Sequence, residues 1–503
     1  EMCIRDSTNT TLLYAMIRRK TIQSPKKKTK IIATLGPSSY TVTHIEALIE
    51  AGMDIARLNL SHGSRESHAL LIDNVKQARS KHGTYTAVLL DTRGPEIRFK
   101  DLGEGVELTV GETVVLNGGE PKSGTLPVNY PGIAGDVAVG SAILLDDGKM
   151  RLQTIAVDGS LITARVVVGG TLLSRKRVSL PDVEVRLPSL AAEDELDIIF
   201  GVEQGVDIIA ASFVRTKEDV LAVREVIKNG GGEQIIIAKI ENRQGVDNLT
   251  DILEAADGLM VARGDLGVEM PAEEVPIIQK KIIKAANRAG KPVITATQML
   301  ESMILSPTPT RAEAGDVTNA IFDGTDAVML SGETAVGAYP VQSVRFLVKN
   351  ALISEAALNY DAILLEGLRH RRPVITDAIS YASCATAADL TAAAIITATT
   401  SGATARRVAR YRPKTPIIAI SPNEANLRML QLFWGVIPLQ CPLAQTMDEQ
   451  TLLVVQTALK AGLIEPDDLV VITAGFPVRT SGTTNMLKVY VVGDANGGEK
   501  NES

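Results

Sequence analysis

From Lys30 onward the chain repeats one unit, a short apolar β-run followed by a helical stretch, until eight β-runs have passed. The runs are expected at 31–35, 54–60, 86–91, 206–212, 235–240, 258–262, 292–297 and 326–330, with helical patterns such as 44–51, 65–82, 216–229 and 275–289 between them. Two β-runs joined by a helix make parallel strands with a right-handed crossover. Eight of them close into a (β/α)8 barrel. Aromatic residues make up only 3% of the chain, so the cores must be Val, Ile, Leu and Ala. That mixture suits parallel strands covered on both faces.

The third and fourth β-runs are too far apart for a single crossover helix. Between them, at 99–186, short β segments punctuated by glycine predict an all-β insert, a small β-barrel lid domain over one rim of the barrel. After the barrel, 351–368 reads as one helix ending in the turn-like RHRRP. A third unit then follows, with β-runs at 393–397, 415–421, 435–439, 469–473 and 487–492, and it predicts an open, mostly parallel sheet. The expected organisation is a barrel at 26–98 and 187–355, the lid at 99–186 and a C-terminal α/β domain at 356–495. Residues 1–25 lack clear periodicity and are expected to be disordered or non-native, and 496–503 is expected to be a disordered tail.

Polar and charged residues gather at the ends of the barrel's β-runs. Arg57, Asn59 and Ser61 follow the second run, Asp91 and Thr92 the third, Ser212 the fourth, and Lys239 and Glu241 close the fifth. Gly264 and Asp265 follow the sixth, Thr297 and Gln298 the seventh, and Ser331 and Glu333 the eighth. Barrels of this kind carry their active sites at that face. Packing alone would scatter such residues along the strands.

Glu241 and Asp265 are hard oxygen ligands on adjacent strand ends, and Mg2+ accepts one or two carboxylates while filling its shell with water and substrate oxygens. As residues alone they serve equally as partners in a structural ion pair with Lys239 or Arg263. Asn59, Ser61, Asp91 and Thr92 offer mostly neutral oxygens plus one charge, a set suited to K+ or to a hydrogen-bonded rim that fixes Arg57. The glycines of ARGDLG allow backbone N–H groups near an anion, as they also allow a tight turn. Thr399, Thr400, Ser401, Gly402 and Thr404 precede a helix, which fits a phosphate site or ordinary N-capping. Charge arithmetic favours phosphoryl chemistry at the mouth: two unit charges ~4 Å apart interact by about 4 kcal/mol at an effective dielectric of 20. A divalent ion, Lys239 and Arg57 together would offset several such repulsions between two phosphorylated substrates.

The net charge of −7 and the lack of a basic stripe interleaved with aromatics argue against a nucleic-acid partner. No apolar run approaches the ~18 residues of a membrane span. Cys3, Cys384 and Cys441 are far apart and form no CxxC, which predicts a reducing, cytoplasmic setting.

Several long motifs resemble those of the pyruvate kinases: KTKIIATLGPSS (28–39), MDIARLNLSHG, DTRGPEIR, IIAKIEN, VARGDLGVEMPAE, KPVITATQMLESM and PTRAEAGDVTNAIFDGTDAVMLSGETA, continuing into ARYRPKTPIIAIS and TSGTTN. The resemblance covers nearly everything after residue 27. It implies phosphoryl transfer from phosphoenolpyruvate to ADP, giving pyruvate and ATP. Lys239 would stabilise the migrating group, Glu241 and Asp265 would bind Mg2+ (or Mn2+), and Asn59, Ser61, Asp91 and Thr92 would bind K+. Arg57, Gly264, Asp265 and Thr297 would hold phosphoenolpyruvate. Arg98 and Lys176 at the lid hinge, with Asn59 and His62 nearby, would meet the nucleotide, and Ser331 and Glu333 fall where the family's proton relay runs. Glu96, which in the family accompanies K+ dependence, is retained. A homotetramer and a sugar-phosphate or nucleotide effector at Thr399–Thr404 are also implied. The chain departs from the common pattern at Arg93 (usually Lys), Phe99 (often Thr) and Arg177 (commonly Gly).

Overall fold

The computed structural model describes residues 27–188, 190–442, 444–477 and 482–493. The expectations for 1–25 and 496–503 lie outside these residues. Eight strands form a closed, all-parallel barrel: β1 (Lys30–Thr34), β2 (Ile55–Asn59), β3 (Ala87–Asp91), β4 (Ile208–Ala211), β5 (Ile235–Ile240), β6 (Gly258–Ala262), β7 (Val293–Ala296) and β8 (Ala327–Leu330). Each matches its expected run to within a residue or two at either end, β1 starting one residue early. The ring order is β1-β8-β7-β6-β5-β4-β3-β2, so neighbours in space are neighbours in sequence.

Strand alternation explains where the polar residues end up. Side chains two apart share a face. On β5, Ile236, Ala238 and Ile240 pack outward against the helices, while Ile237 points into the barrel. The inward row therefore continues from Ile237 to Lys239 and then Glu241. The other strands follow the same course: Ile55 to Arg57 and Asn59 on β2, Leu89 to Asp91 on β3, Ala210 to Ser212 after β4, and Ile32 to Thr34 on β1. Each row is apolar low in the barrel and polar at the C-terminal rim. Pairing of Asn59 with Asp91, and of Asp91 with Ala210, keeps these row ends level.

The insert consists of a six-stranded sheet and a two-stranded ribbon, without a continuous ring of ladder bonds, around one core that includes Phe99, Leu116, Leu152, Ile162 and Leu172. It returns to the barrel through Val178–Ser179, which pairs with Ala142–Leu145.

The single helix expected at 351–368 is two. Pro340–Ala356 and Tyr360–Arg369 are separated at Asn359, whose side chain accepts the Ala362 N–H and so starts a new helix. The C-terminal sheet has β9 (Ala394–Ala398), β10 (Ile417–Ser421), β11 (Val436–Gln440), β12 (Leu469–Ala474) and β13 (Met486–Val491) in the order β11-β10-β9-β12-β13. Only the β12–β13 pair is antiparallel. This domain is tied to the N-terminal end of the barrel: Lys30 Nζ donates to the Val436 carbonyl at 2.7 Å, and Arg412 pairs with Asp326 at 3.0 Å. Among the described residues no helix is long and apolar enough to cross a membrane.

Candidate active site

The centre of the rim is a buried charge network. Lys239 Nζ donates to Ser212 Oγ at 2.7 Å and lies 3.0 Å from both Asp91 Oδ1 and Glu241 Oε1. Arg57 grips the other oxygen of Asp91 with two nitrogens, at 2.8 and 2.6 Å, and donates to Thr34 Oγ1 at 2.8 Å. Asp91 is fully buried. Burial alone would raise its pKa, but Lys239 and Arg57 outweigh that and hold it below the usual carboxylate range. Burial alone would likewise lower the Lys239 pKa, yet Asp91, Glu241 and Asp265 together raise it, so the ammonium persists at physiological pH.

Glu241 and Asp265 feel each other's charge, and they divide unequally. Burial pushes Glu241 up to about 7, against the pull of Lys239 and with the Asp265 charge adding to the rise. Burial opposes ionisation of Asp265 too, but Arg177, ion-paired with it, and Lys239 keep it below the ordinary value. Glu241 Oε2 accepts the Phe213 N–H at 2.5 Å, at a residue with φ +54°. Its Oε1, although 3.0 Å from Lys239 Nζ, is too poorly aligned for a hydrogen bond and remains a buried acceptor without a donor. A cation is the natural partner for such an oxygen. Of the two ion-pair partners that the sequence offers, Lys239 is present. Arg263 is turned away, to Asp316 at 2.5 Å and the Thr297 carbonyl. Among the described residues no group of three or more acidic, histidine or cysteine side chains is arranged to hold a metal alone. A cation here would complete its shell with water and substrate oxygens.

The remaining residues expected at the site are arranged as follows. Thr297, at φ +66°, accepts the Gly264 N–H on its Oγ1 at 2.8 Å, so that donor of the ARGDLG turn is already engaged. Thr92 Oγ1 accepts the Ser212 N–H, and the Thr92 carbonyl accepts from Ser212 Oγ at 2.6 Å. Asn59 Oδ1 accepts the Ser61 N–H, while the His62 carbonyl is bonded by His68. Glu333 is buried and clamps two backbone N–H groups, Leu300 at 2.9 Å and Ser331 at 2.7 Å, with its pKa raised by burial. Ser331 Oγ is buried without a partner. Arg98 pairs with Glu96, and Lys176 with Asp146 at 2.7 Å, so both stay at the lid hinge, apart from the Lys239 network.

Three participants have roles that the sequence does not reveal. Ser212 is visible there as a rim residue but not as the bridge between Lys239, Asp91 and Thr92. Thr34 ends the inward row of β1 and is detectable by the same alternation. Phe213 gives no signal at all.

In the C-terminal domain, Thr399, Thr400, Ser401 and Thr404 line a cavity of about 50 Å³, together with Gln450 and Thr483. Thr404 Oγ1 is bonded to Thr484 Oγ1 at 3.0 Å, and the Thr400 carbonyl is bonded by Asn426. Gly402 caps the short helix Ala403–Ala409 at φ +77°.

A barrel mouth that holds a permanent ammonium and a guanidinium against adjacent carboxylates is built to manage moving negative charge, and its class is the phosphotransferases. The family model for the pyruvate kinase barrel domain matches residues 26–344, and that for the pyruvate kinase alpha/beta domain matches 377–490. The pyruvate kinase of Geobacillus stearothermophilus is 52% identical over 477 residues, covering 93% of this chain and 81% of that protein. That of Bacillus licheniformis is 50% identical over 475 residues, with the same coverage. That of Clostridium acetobutylicum is 47% identical over 471 residues, covering 93% of this chain and all of that protein. The chain belongs to the pyruvate kinase family, the phosphotransferases that convert phosphoenolpyruvate and ADP to pyruvate and ATP in glycolysis.

Proposed function

We propose that this chain carries out the family's transfer with Lys239 and Arg57 as the cationic clamp on the migrating phosphoryl group and Glu241 and Asp265 as ligands for Mg2+ or Mn2+. The observation that carries the reading is the position of Lys239 Nζ, 3.0 Å from Glu241 and bonded to Ser212 over a fully buried Asp91. Phosphoryl transfer needs positioning and neutralisation more than covalent chemistry. When bound, the divalent ion would polarise the phosphoryl oxygens and offset their charge. Glu241 Oε1, ion-paired with Lys239 but accepting no hydrogen bond, keeps lone-pair capacity for that group. Lys239 acts only as a hydrogen-bond donor and counter-charge, because the carboxylates around it keep it protonated. Arg57 is fixed by Asp91 and Thr34 and so meets the anion in one orientation.

Loss of the phosphoryl group leaves the enolate of pyruvate, which must gain a proton on carbon. Thr297 and the unpartnered hydroxyl of Ser331 form the relay in this reading, and Glu333, which accepts the Ser331 N–H, positions that hydroxyl and stands behind it as the raised carboxyl. Gly264 and Asp265 hold the substrate from the turn after β6. Arg98 and Lys176, with Asn59 and His62, receive the ADP phosphates when the lid closes. Asn59, Ser61, Asp91 and Thr92 are proposed to hold K+, in keeping with the neutral oxygens of Asn59 and Thr92 beside one carboxylate. The Thr399–Thr404 loop is proposed as the seat of a phosphorylated effector, supported by the adjacent small cavity. A cytoplasmic homotetramer completes the reading.

The test is a coupled assay of pyruvate formation. Wild type should require ADP, a divalent ion and K+, and Lys239→Ala should lower turnover by roughly 10³-fold, the scale of losing one preorganised charge donor. Pyruvate release without ADP, or a Lys239→Ala variant within about tenfold of wild type, would count against it.

A further inference from the structure

Arg177 directly precedes Val178–Ser179, the short strand that carries the lid back to the barrel. Its backbone is held by the lid: it bridges Arg98, and its carbonyl accepts the Asp146 N–H at 3.1 Å. Its side chain crosses to the barrel. The guanidinium is ion-paired with Asp265, lies 4.9 Å from the centre of the Phe213 ring, and is only 11% exposed. Phe213 is the residue whose N–H binds Glu241. A cation from the lid thus reaches Asp265 itself and the residue whose backbone N–H holds Glu241.

The other charges at the mouth are matched without it. Asp91 has Arg57 and Lys239, and Glu241 has Lys239. Asp265 has Arg177 as its ion-pair partner. Arg177 takes the Oδ1 of Asp265, and a divalent ion brought to the same carboxylate would repel the guanidinium at close range. The displaced side chain has somewhere to go. A cleft of about 720 Å³ opens beside it, lined by Glu96, Asp182 and Glu269 among others, with Glu269 already 4.0 Å from the guanidinium.

We propose that Arg177 is a built-in counter-cation that occupies Asp265 in the metal-free protein and is expelled when a divalent ion binds, so that metal binding releases the lid strand from the rim. This rests on the reading of Glu241 and Asp265 as metal ligands. The consequence is a weaker grip on the free ion than the carboxylates alone would give.

The test measures Mn2+ binding to the substrate-free protein from the free-ion electron paramagnetic resonance signal. Arg177→Gln, which keeps a polar side chain and removes the charge, should bind Mn2+ on the order of tenfold more tightly, the equivalent of about 1.4 kcal/mol. Arg177→Lys should remain near wild type. Amide exchange over 174–178 should quicken on Mn2+ addition in wild type and change little in Arg177→Gln. Asp265→Asn should lose binding. Arg177→Gln binding no tighter than wild type, while Asp265→Asn fails to bind, would overturn the counter-cation. Exchange at 174–178 indifferent to Mn2+ in wild type would overturn its link to the lid. Asp265→Asn binding like wild type would overturn the ligand reading itself.

Discussion

The barrel mouth and the Thr399–Thr404 loop both look, from sequence, like places for a phosphate, yet they are built differently. At the mouth, inward rows from β2, β3 and β5 end in Arg57, Asp91, Lys239 and Glu241, and these groups are paired with one another, within and across rows, at 2.6–3.0 Å. At the loop, hydroxyls meet hydroxyls and backbone: Thr404 bonds Thr484, and Asn426 bonds the Thr400 carbonyl. A cation near that loop, Arg407, donates to the Gly482 carbonyl and Thr484. Charge converges at one place and, among the described residues, is absent from the cavity wall of the other. A phosphate-like motif is therefore weak until the fold gathers counter-charges around it.

Substitutions at the two places should separate them. The largest effect is expected at the carboxylate pair. Asp265→Asn should lower turnover by roughly 10³-fold at ordinary Mg2+. Added metal should restore part of it, and a turnover curve against Mg2+ checks this. Asp91→Asn should cost stability, about 3–5 kcal/mol, because it leaves Lys239 and Arg57 buried without their shared counter-charge. A denaturant midpoint well below that of wild type is the readout.

A third effect lies at the opposite end of the barrel. Lys30 is buried, donates to the Val436 carbonyl at 2.7 Å and lies 4.0 Å from Asp54. Burial lowers its pKa to about 8, with Asp54 opposing. Below pH 8 it is charged in both folded and unfolded chains, and the penalty of burying the charge is fully present. Between about pH 8 and its unfolded value near ~10.4, the unfolded chain binds more protons, so stability rises with pH. Relative to Lys30→Met, wild type should gain up to about 3 kcal/mol across that window, measured as paired urea midpoints. The smallest effect is at the loop: Thr404→Val exchanges one hydroxyl pair and should cost about 1 kcal/mol or less.

The same contrast governs how much is legible in the sequence. Period-two alternation carries the strand positions and the inward rows, so the residue pattern by itself puts Arg57, Asp91, Lys239 and Glu241 on one rim. Alternation is silent where the chain leaves the strand. Phe213 takes a positive φ just after β4, and its backbone N–H binds Glu241 for reasons no pattern encodes. Arg177 meets Asp265 across 88 residues, a contact fixed by how the lid folds back. The break at Asn359 is within reach of sequence reasoning, since asparagine ahead of an acidic first turn is an N-cap signal, but the apolar residues on both sides hide it.

The most direct test is a crystal structure of the protein with Mn2+ and phosphoenolpyruvate, with the metal located by its anomalous signal. The account predicts one peak between Glu241 and Asp265, with an oxygen of each at roughly 2.1 Å and the substrate phosphate facing Lys239 Nζ. A metal held elsewhere, or a phosphate bound away from Lys239 and Arg57, would contradict it.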